Sequence, residues 1–351
     1  MIKDRAEPSR RRLIKSAGLG LGAAILSHAA TSTTLAAAMD SSPVQPTPGF
    51  WNAQYWAMKG EVKLALYRKR MKAPAKGEKP LPVLFLVHGS SLSALSSYDL
   101  TVPGIGDYSL MNAFARHGFD VWTMDHEGYG RSSVTDKNSD IASGIADLAA
   151  ASEIVTRETG QKTFHFFGES SGGLRAGAFA NRHPDRVGRL VLAAFTFTGK
   201  GSPTLGDRAK QLEYYRTHNR RTRDLAMVRS IFTRDKPGVT DPRLADAIWA
   251  KESPFGDTVP TGTYLDMVAH LPVVDPAKLT APVLLIRGEY DGIATEEDIL
   301  DFLGKLASRD KQYAVIPGAA HGVLSGYNRA LGLHVVQAFL TMPHEIPIKS
   351  S

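Results

Sequence analysis

The most constraining feature of this 351-residue chain is a regular alternation of short apolar segments with longer amphipathic ones. The short segments are mostly apolar and bounded by Gly, Pro or polar residues, at 81–87, 119–124, 162–167, 189–195, 282–286 and 312–316. Such segments are typical of strands that are buried on both faces of a sheet. Segments with helical patterning separate them, at 108–117, 141–157, 171–181, 296–307 and 327–340. This alternation predicts an α/β protein whose mainly parallel sheet has helices on both faces.

The alternation stops between Phe195 and Pro282, where more than eighty residues show helical patterning and no convincing buried strand. We interpret residues 199–281 as an inserted helical cap, called the cap segment below. Residues 53–198 and 282–351 then form the core domain, and the Pro- and Ser-rich residues 39–52 form a linker. The cap segment carries a basic cluster of four arginines, which favours a neutral or anionic ligand: Arg216, Arg220, Arg221 and Arg223.

The first 38 residues have the order of an export signal. Residues 9–15 read S-R-R-R-L-I-K, an apolar stretch covers residues 17–26, and the segment ends in three alanines at 36–38. This order resembles a twin-arginine signal, which implies cleavage after Ala38, a transient partner in the twin-arginine export machinery, and a periplasmic or secreted enzyme. The apolar run is about ten residues, against about twenty for a membrane-spanning helix. We therefore expect no stable membrane anchor.

Composition excludes several classes of function. Cysteine is absent, so disulfides, thiol nucleophiles and thiolate metal sites are excluded. The net charge is +7, but the first 38 residues hold six Lys or Arg and two Asp or Glu, so the remainder carries only +3. That is an ordinary surface charge, and we expect no nucleic-acid partner. His, Asp and Glu are not grouped at metal-ligand spacing, so the sequence predicts neither a metal nor a cofactor.

Residues 168–172, G-E-S-S-G, fit the pattern G-x-S-x-G. They follow an apolar strand and precede a helical segment, which is the setting of a nucleophile elbow. In such a turn the two glycines permit close backbone approach, and the hydroxyl of Ser170 is lifted above the edge of the sheet. The sequence therefore predicts Ser170 as a nucleophile, which requires a general base and a group that orients that base.

From about residue 55 to 341 the chain resembles an α/β-hydrolase, most closely the monoacylglycerol-lipase and serine-aminopeptidase branch. The resemblance implies an eight-stranded sheet and a triad in the chain order serine, acid, histidine. It assigns the base to His321, in P-G-A-A-H-G, and the acid to Asp291, in R-G-E-Y-D-G. Glu289 is an alternative acid two residues earlier, whereas Asp207 lies too far beyond the preceding strand.

Two further motifs carry the same resemblance. Residues 88–91, H-G-S-S, resemble the loop that gives one backbone N–H to the oxyanion hole; Ser90 is the expected donor, and Ser171 supplies the second N–H. Residues 125–132 resemble the turn D-x-R-G-x-G-x-S, with a glutamate in place of the arginine. We expect the long segment 90–107 to line the substrate pocket, and the pocket candidates are Ser91, Tyr98 and Glu169.

These features predict a serine hydrolase that cleaves small or medium carboxylic esters, lactones included, through an acyl-enzyme. Amide or aminopeptidase activity and carbon–carbon bond hydrolysis on the same triad are alternatives, as is cofactor-free haloperoxidase chemistry. Haloalkane dehalogenases and epoxide hydrolases of this fold carry an aspartate at the nucleophile position, which disfavours them. A ligand-binding protein without catalysis is a further alternative. The acyl and alcohol parts of the substrate and the oligomeric state are not predicted.

Overall fold

The computed structural model describes residues 48–343. The main sheet contains eight strands: β1 (Trp51–Lys59), β2 (Val62–Arg70), β3 (Val83–Val87), β6 (Asp120–Met124), β7 (Phe164–Glu169), β8 (Val187–Ala193), β11 (Val283–Gly288) and β12 (Lys311–Ile316). Two small pairs complete the strands: β4 (Thr101–Val102) with β5 (Gly106–Asp107), and β9 (Arg220–Thr222) with β10 (Thr258–Pro260).

Eleven α-helices lie within the described residues. Those of the core are α1 (Ala94–Tyr98), α2 (Leu110–Arg116), α3 (Ile141–Thr159), α4 (Ser171–Arg182), α10 (Glu296–Lys305) and α11 (Arg329–Leu340). Those of the cap segment are α5 (Pro203–Ala209), α6 (Leu212–Thr217), α7 (Leu225–Thr233), α8 (Arg243–Glu252) and α9 (Gly262–Ala269). None of the helices described between residues 48 and 343 is long and apolar enough to cross a membrane.

The strand order in the main sheet is β1-β2-β6-β3-β7-β8-β11-β12. β2 pairs antiparallel with β1 and β6, and all other neighbours are parallel. The predicted mainly parallel, eight-stranded α/β fold is therefore confirmed. Because the carboxyl ends of parallel strands meet at one edge of a sheet, the segments after β3, β7, β11 and β12 converge there.

Alternate side chains of the buried strands enter two apolar layers. Phe85 of β3 packs on the side of α3 and α4, whereas its neighbours Leu84 and Leu86 pack on the side of α2 and α11. All five β3 residues are buried, which explains the continuous apolar run in the sequence. The sheet is thus fixed between two helical layers, and its carboxyl edge is a rigid platform for loops.

The amino-terminal boundary of the fold differs from the prediction. β1 begins at Trp51, inside the segment 39–52 that we interpreted as a linker, and pairs with β2 from Trp51 opposite Arg70 to Lys59 opposite Val62. The Trp51 ring also stacks against the Arg68 guanidinium, with Cζ 5.3 Å from the ring centroid. The predicted export signal at residues 1–38 lies outside the described residues.

The cap segment lies between β8 and β11 and is not purely helical. β9 and β10 form an antiparallel pair of only three residues each, too short for sequence alternation to reveal. A third apolar cluster joins α7 and α8 to the segment after β3, and its buried members include Leu100, Val102, Tyr108, Val228, Leu244 and Ile248. The cap segment therefore covers the loop at the carboxyl edge of the sheet.

Candidate active site

Ser170 occupies a strained turn between β7 and α4. Its φ and ψ are 58° and −127°, a conformation that is rare for a residue with a side chain. The turn is tight because a Cβ atom on Gly172 would overlap the carbonyl oxygen of Val87, and one on Gly168 would overlap the carbonyl of Gly172. The two glycines of G-x-S-x-G are thus required by backbone contacts, and they hold the Ser170 hydroxyl at the sheet edge.

Ser170, His321 and Asp291 form one hydrogen-bonded chain. His321 Nε2 lies 2.9 Å from Ser170 Oγ, and His321 Nδ1 lies 2.9 Å from Asp291 Oδ1. His321 follows β12 and Asp291 follows β11, so neighbouring parallel strands deliver the two groups to the same edge. This geometry can pass a proton from the hydroxyl to the imidazole while the carboxylate fixes the ring orientation.

Asp291 is held as an anion by its surroundings. Its Oδ1 also accepts hydrogen bonds from the backbone N–H groups of Ile293 and Ala294, at 2.8 and 3.0 Å. Burial by itself raises the pKa of Asp291, but His321 and the two N–H donors outweigh burial and leave that pKa below its ordinary value. An ionised carboxylate at this position can stabilise an imidazolium.

The alternative acids point elsewhere. Glu289 accepts a hydrogen bond from the backbone N–H of Gly318 at 2.8 Å, on the surface. Asp207 is exposed and pairs with Lys210 at 2.7 Å. Of the three carboxylates considered from the sequence, only Asp291 contacts His321.

Backbone donors lie next to the serine. The Oγ atoms of Ser90 and Ser171 are 2.6 Å apart, so the loop after β3 meets the first residue of α4. Tyr129 OH donates to the Ser90 carbonyl at 2.9 Å, and Thr263 Oγ1 donates to Ser90 Oγ at 2.8 Å. Within residues 48–343 neither the Ser90 N–H nor the Ser171 N–H has an acceptor. Both N–H groups are therefore unpaired among the described residues, as the predicted role in an oxyanion hole requires.

A cavity that is open to solvent lies between the elbow and the cap segment. Ser170 and His321 line it, and so do the predicted pocket residues Ser91 and Glu169. Much of the remaining wall is apolar, and it includes Leu92, Leu100, Leu110, Phe232, Leu244 and Ile248. We call this space the catalytic cavity.

Tyr98 does not line the catalytic cavity, contrary to the prediction. It is the last residue of α1, a short helix whose presence the sequence did not reveal, and its side chain is fully buried. Its hydroxyl donates to the Val87 carbonyl at 2.7 Å, and its ring packs edge-on against Phe167. Tyr98 thus fastens the segment after β3 to the sheet.

Glu169, beside the nucleophile, has a perturbed carboxyl group. Burial raises its pKa to about 7, and the nearby negative charge of Asp291 acts in the same direction. The backbone N–H of Val323 partly opposes this rise. The carboxyl therefore changes charge near neutral pH, next to the triad.

A second carboxylate, which the sequence does not reveal, lies near the triad. Asp235 follows α7, and one of its oxygens, one oxygen of Asp291 and a ring nitrogen of His321 lie within 4.8 Å of one another. These three groups are close enough to share a cation, but both ring nitrogens of His321 are already hydrogen-bonded, one to Asp291 and the other to Ser170. No spacing signal could reveal it, because Asp235 reaches the site only through the fold of the cap segment.

The turn at residues 125–132 is hydrogen-bonded to β2 and to α1. Asp125 accepts from Tyr67 OH at 2.7 Å and from the N–H of Ala94 at 2.9 Å, which ties β2 and α1 to the turn. Glu127, which stands where the family usually has arginine, pairs with Lys59 Nζ at 2.6 Å. The unusual glutamate therefore has a local cationic partner from β1.

This fold, with a serine at the turn between strand and helix, is that of the α/β hydrolases. The sequence model of the Hydrolase_4 family, described as serine aminopeptidase, S33, matches residues 105–326. The chain belongs to this family.

Known relatives match this chain over different lengths. An esterase of Mycobacterium tuberculosis, Esterase Rv0045c, is 25% identical over 275 residues, which cover 74% of this chain and 83% of the relative. A 2-hydroxy-6-oxononadienedioate/2-hydroxy-6-oxononatrienedioate hydrolase of Paraburkholderia phymatum is 32% identical over 128 residues, only 34% of this chain and 38% of that protein. The fold resembles that of 2-hydroxy-6-oxo-6-phenylhexa-2,4-dienoate hydrolase from a Rhodococcus species, with a TM-score of 0.60, 18% identity, and coverage of 83% of this chain and 100% of the other.

Proposed function

We propose that the protein is a serine hydrolase that cleaves carboxylic esters through an acyl-enzyme. The observation that carries the proposal is the continuous hydrogen-bonded chain from Ser170 through His321 to Asp291. The strained elbow and the free N–H groups beside it support the proposal, because they are the other two elements that acyl transfer requires.

In the proposed mechanism, Ser170 Oγ attacks the ester carbonyl carbon while His321 Nε2 removes the hydroxyl proton. The N–H groups of Ser90 and Ser171 stabilise the oxyanion of the tetrahedral intermediate. His321 then gives the proton to the alcohol as the carbon–oxygen bond breaks, and the acyl group remains on Ser170. Water attacks the acyl-enzyme by the same route and releases the acid, while Asp291 stabilises the imidazolium in both halves.

Carbon–carbon bond hydrolysis is the second candidate function. The relative from Paraburkholderia phymatum that is named for a dienedioate substrate favours it, although the match covers only about a third of either chain. Aminopeptidase activity is less supported, because arginines from the cap segment face the site and would repel a substrate's free amine. The mostly apolar catalytic cavity favours esters with an apolar part.

A substrate panel tests the proposal. 4-Nitrophenyl esters of increasing acyl length, lactones, aminoacyl anilides and a 2-hydroxy-6-oxodienoate should be compared by kcat/KM. We expect the esters to be the best substrates and Ser170→Ala to lower kcat by about 10⁴-fold. Preferred cleavage of the anilides or the dienoate would contradict the ester assignment.

We also propose that the enzyme is exported through the twin-arginine route. The proposal rests on the S-R-R-R-L-I-K sequence followed by a short apolar stretch and three alanines. In a bacterial host with a twin-arginine system, the exported protein should begin at Met39, and Arg10→Lys with Arg11→Lys should retain it in the cytoplasm. Amino-terminal sequencing of the periplasmic fraction measures this, and unchanged export of the double variant would contradict it.

A further inference from the structure

A second space opens beside the catalytic cavity, and its charge is unusual. It is lined by α5, α7, β9 and the loop after β11, and we call it the arginine groove because Arg208, Arg221 and Arg234 all line it. Arg208 and Arg234 line the catalytic cavity as well, together with Ser91 and Ile231. The groove is therefore continuous with the space in front of Ser170.

Two of these arginines share one aromatic ring and have no ion-pair partner among residues 48–343. Arg208 Cζ lies 5.2 Å and Arg221 Cζ lies 4.8 Å from the centroid of the Tyr264 ring. The hydrogen-bond contact of the Arg208 guanidinium is with the sulfur of Met267 at 3.9 Å, which is a weak acceptor. Both side chains are only partly exposed, so water screens their charges incompletely.

The third arginine is only partly neutralised. Arg234 Nε lies 3.1 Å from Asp235 Oδ1, but Arg234 Nη2 is buried and has no acceptor in the part of the chain that the structure describes. Burial lowers the pKa of Arg208 to about 10, and the positive charges of Arg234 and Arg221 contribute to the decrease. Arg208 remains cationic at neutral pH, so like charges are held together in the groove.

The other carboxylates of the groove form no ion pair with Arg208 or Arg221. Asp207 pairs with Lys210, whereas Glu289 accepts from the N–H of Gly318 and Asp291 is hydrogen-bonded to His321. A partly buried guanidinium group without an ion-pair partner is costly, and a ligand carboxylate that accepts hydrogen bonds from it offsets that cost. The planar, five-donor guanidinium is matched to a carboxylate, which it can bind through two parallel hydrogen bonds.

We propose that the substrate is an ester that carries a carboxylate, bound by Arg208 and Arg221 in the arginine groove, while its apolar part occupies the catalytic cavity. The inference rests on the proposed ester hydrolysis and names its substrate class. Hydrolysis consumes one water and releases an alcohol and an acid, and the additional carboxylate is unchanged by the reaction.

Matched substrate pairs test the proposal. One pair places the charge on the acyl side: 4-nitrophenyl hexanoate and the mono-4-nitrophenyl ester of hexanedioic acid. The other places it on the alcohol side: phenyl hexanoate and 4-(hexanoyloxy)benzoate. In one of the two pairs we expect the charged ester to have the higher kcat/KM. In that pair, Arg208→Gln or Arg221→Gln should lower the ratio of kcat/KM for the charged ester to kcat/KM for the neutral ester by about 10- to 100-fold.

Arg216→Gln is the matched control, because Arg216 is an exposed cap arginine outside the groove, 3.9 Å from Glu213. It should leave the ratio unchanged. Arg208→Lys keeps the charge without the planar fork and should give an intermediate ratio. Equal ratios in wild type, Arg208→Gln and Arg221→Gln for both pairs would overturn the proposal while leaving ester hydrolysis intact.

A binding measurement separates this proposal from the proposed function. Hexanedioate should raise the melting temperature of the Ser170→Ala variant more than hexanoate does, and Arg208→Gln in that background should remove the difference. If no ester is hydrolysed but hexanedioate still binds selectively, ester hydrolysis is refuted and carboxylate binding in the arginine groove is supported. If esters are hydrolysed but hexanedioate does not bind selectively and the kcat/KM ratio does not change in the arginine variants, only the proposal of carboxylate binding is refuted.

Discussion

A buried ion pair within the cap segment, Arg223 with Glu252, contacts the loop after β3 through hydrogen bonds to Glu252. Glu252, the last residue of α8, is fully buried; its Oε1 accepts from the Ser93 N–H at 2.5 Å, from Ser93 Oγ at 2.6 Å, and from Ser96 Oγ. Its Oε2 pairs with Arg223 Nη1, and Arg223 Nη2 donates to the Gly256 carbonyl at 3.0 Å. We predict that this pair determines how firmly the cap segment is held.

The expected magnitude follows from burial. The side chains of Arg223 and Glu252 are 3% and 0% exposed, so Glu252→Gln leaves an uncompensated cation in the interior. Breaking a buried pair in this way costs about 3–5 kcal/mol. At about 2 °C per kcal/mol for a domain of this size, the melting temperature should fall by about 6–10 °C.

Chemical denaturation and thermal unfolding of purified variants measure this cost. Asp246→Asn is the matched control, because Asp246 pairs with Arg229 within the same cap segment, but the two side chains are 50% and 57% exposed. That substitution should cost at most about 1 kcal/mol. Combining Glu252→Gln with Arg223→Met should recover part of the lost free energy of unfolding, since the buried cation is then removed. A cost for Glu252→Gln equal to that of Asp246→Asn would refute the reasoning.

Three further predictions follow from the site. Asp291→Asn should lower kcat by up to about 10⁴-fold. The double variant Asp291→Asn with Asp235→Asn should have a still lower kcat, because the second carboxylate near His321 is then also lost. Steady-state kinetics in which the double variant equals Asp291→Asn would contradict this expectation. The pKa of Glu169 is raised to about 7 in the folded protein. Between pH about 4.5 and 7 the folded state therefore binds more protons than the unfolded state, so a rise in pH destabilises the folded state. Through that range the wild-type protein should lose free energy of unfolding relative to Glu169→Gln, whose side chain does not titrate. Denaturant titrations that show a constant difference across that range would refute it. Gly172→Ala should prevent native folding, because the new Cβ would overlap the Val87 carbonyl oxygen, and a native circular dichroism spectrum and melting temperature would contradict that expectation.

The sheet and the proposed triad could be predicted because local patterns carry them. Short apolar runs identify buried strands. The pattern G-x-S-x-G identifies the turn, because a side chain at Gly172 would overlap the backbone of β3. Asp291 and His321 each follow a strand directly, so the parallel topology brings them to one edge. The first residue of β1 could not be predicted in this way, because the strand extends to Trp51 through its pairing with β2 across a hairpin.

The cap segment could not be predicted at the same level, because its contacts are non-local. The four arginines selected from the sequence prove to have different surroundings. Arg223 is neutralised by Glu252, Arg220 donates to the carbonyls of Gly128 and Thr258, and Arg216 is exposed; only Arg221 lines the arginine groove. Arg208, Arg234 and Asp235 reach the site only through the arrangement of α5 and α7, which no single-sequence signal encodes.

Covalent labelling of Ser170 tests the central claim most directly. A fluorophosphonate should add one phosphonyl group to the wild-type protein, and peptide mass spectrometry should locate it on Ser170. Ser170→Ala should gain no mass, and His321→Ala should react much more slowly because the hydroxyl loses its base. An unlabelled wild-type protein, or an adduct on any other residue, would contradict the assignment of Ser170 as the activated nucleophile.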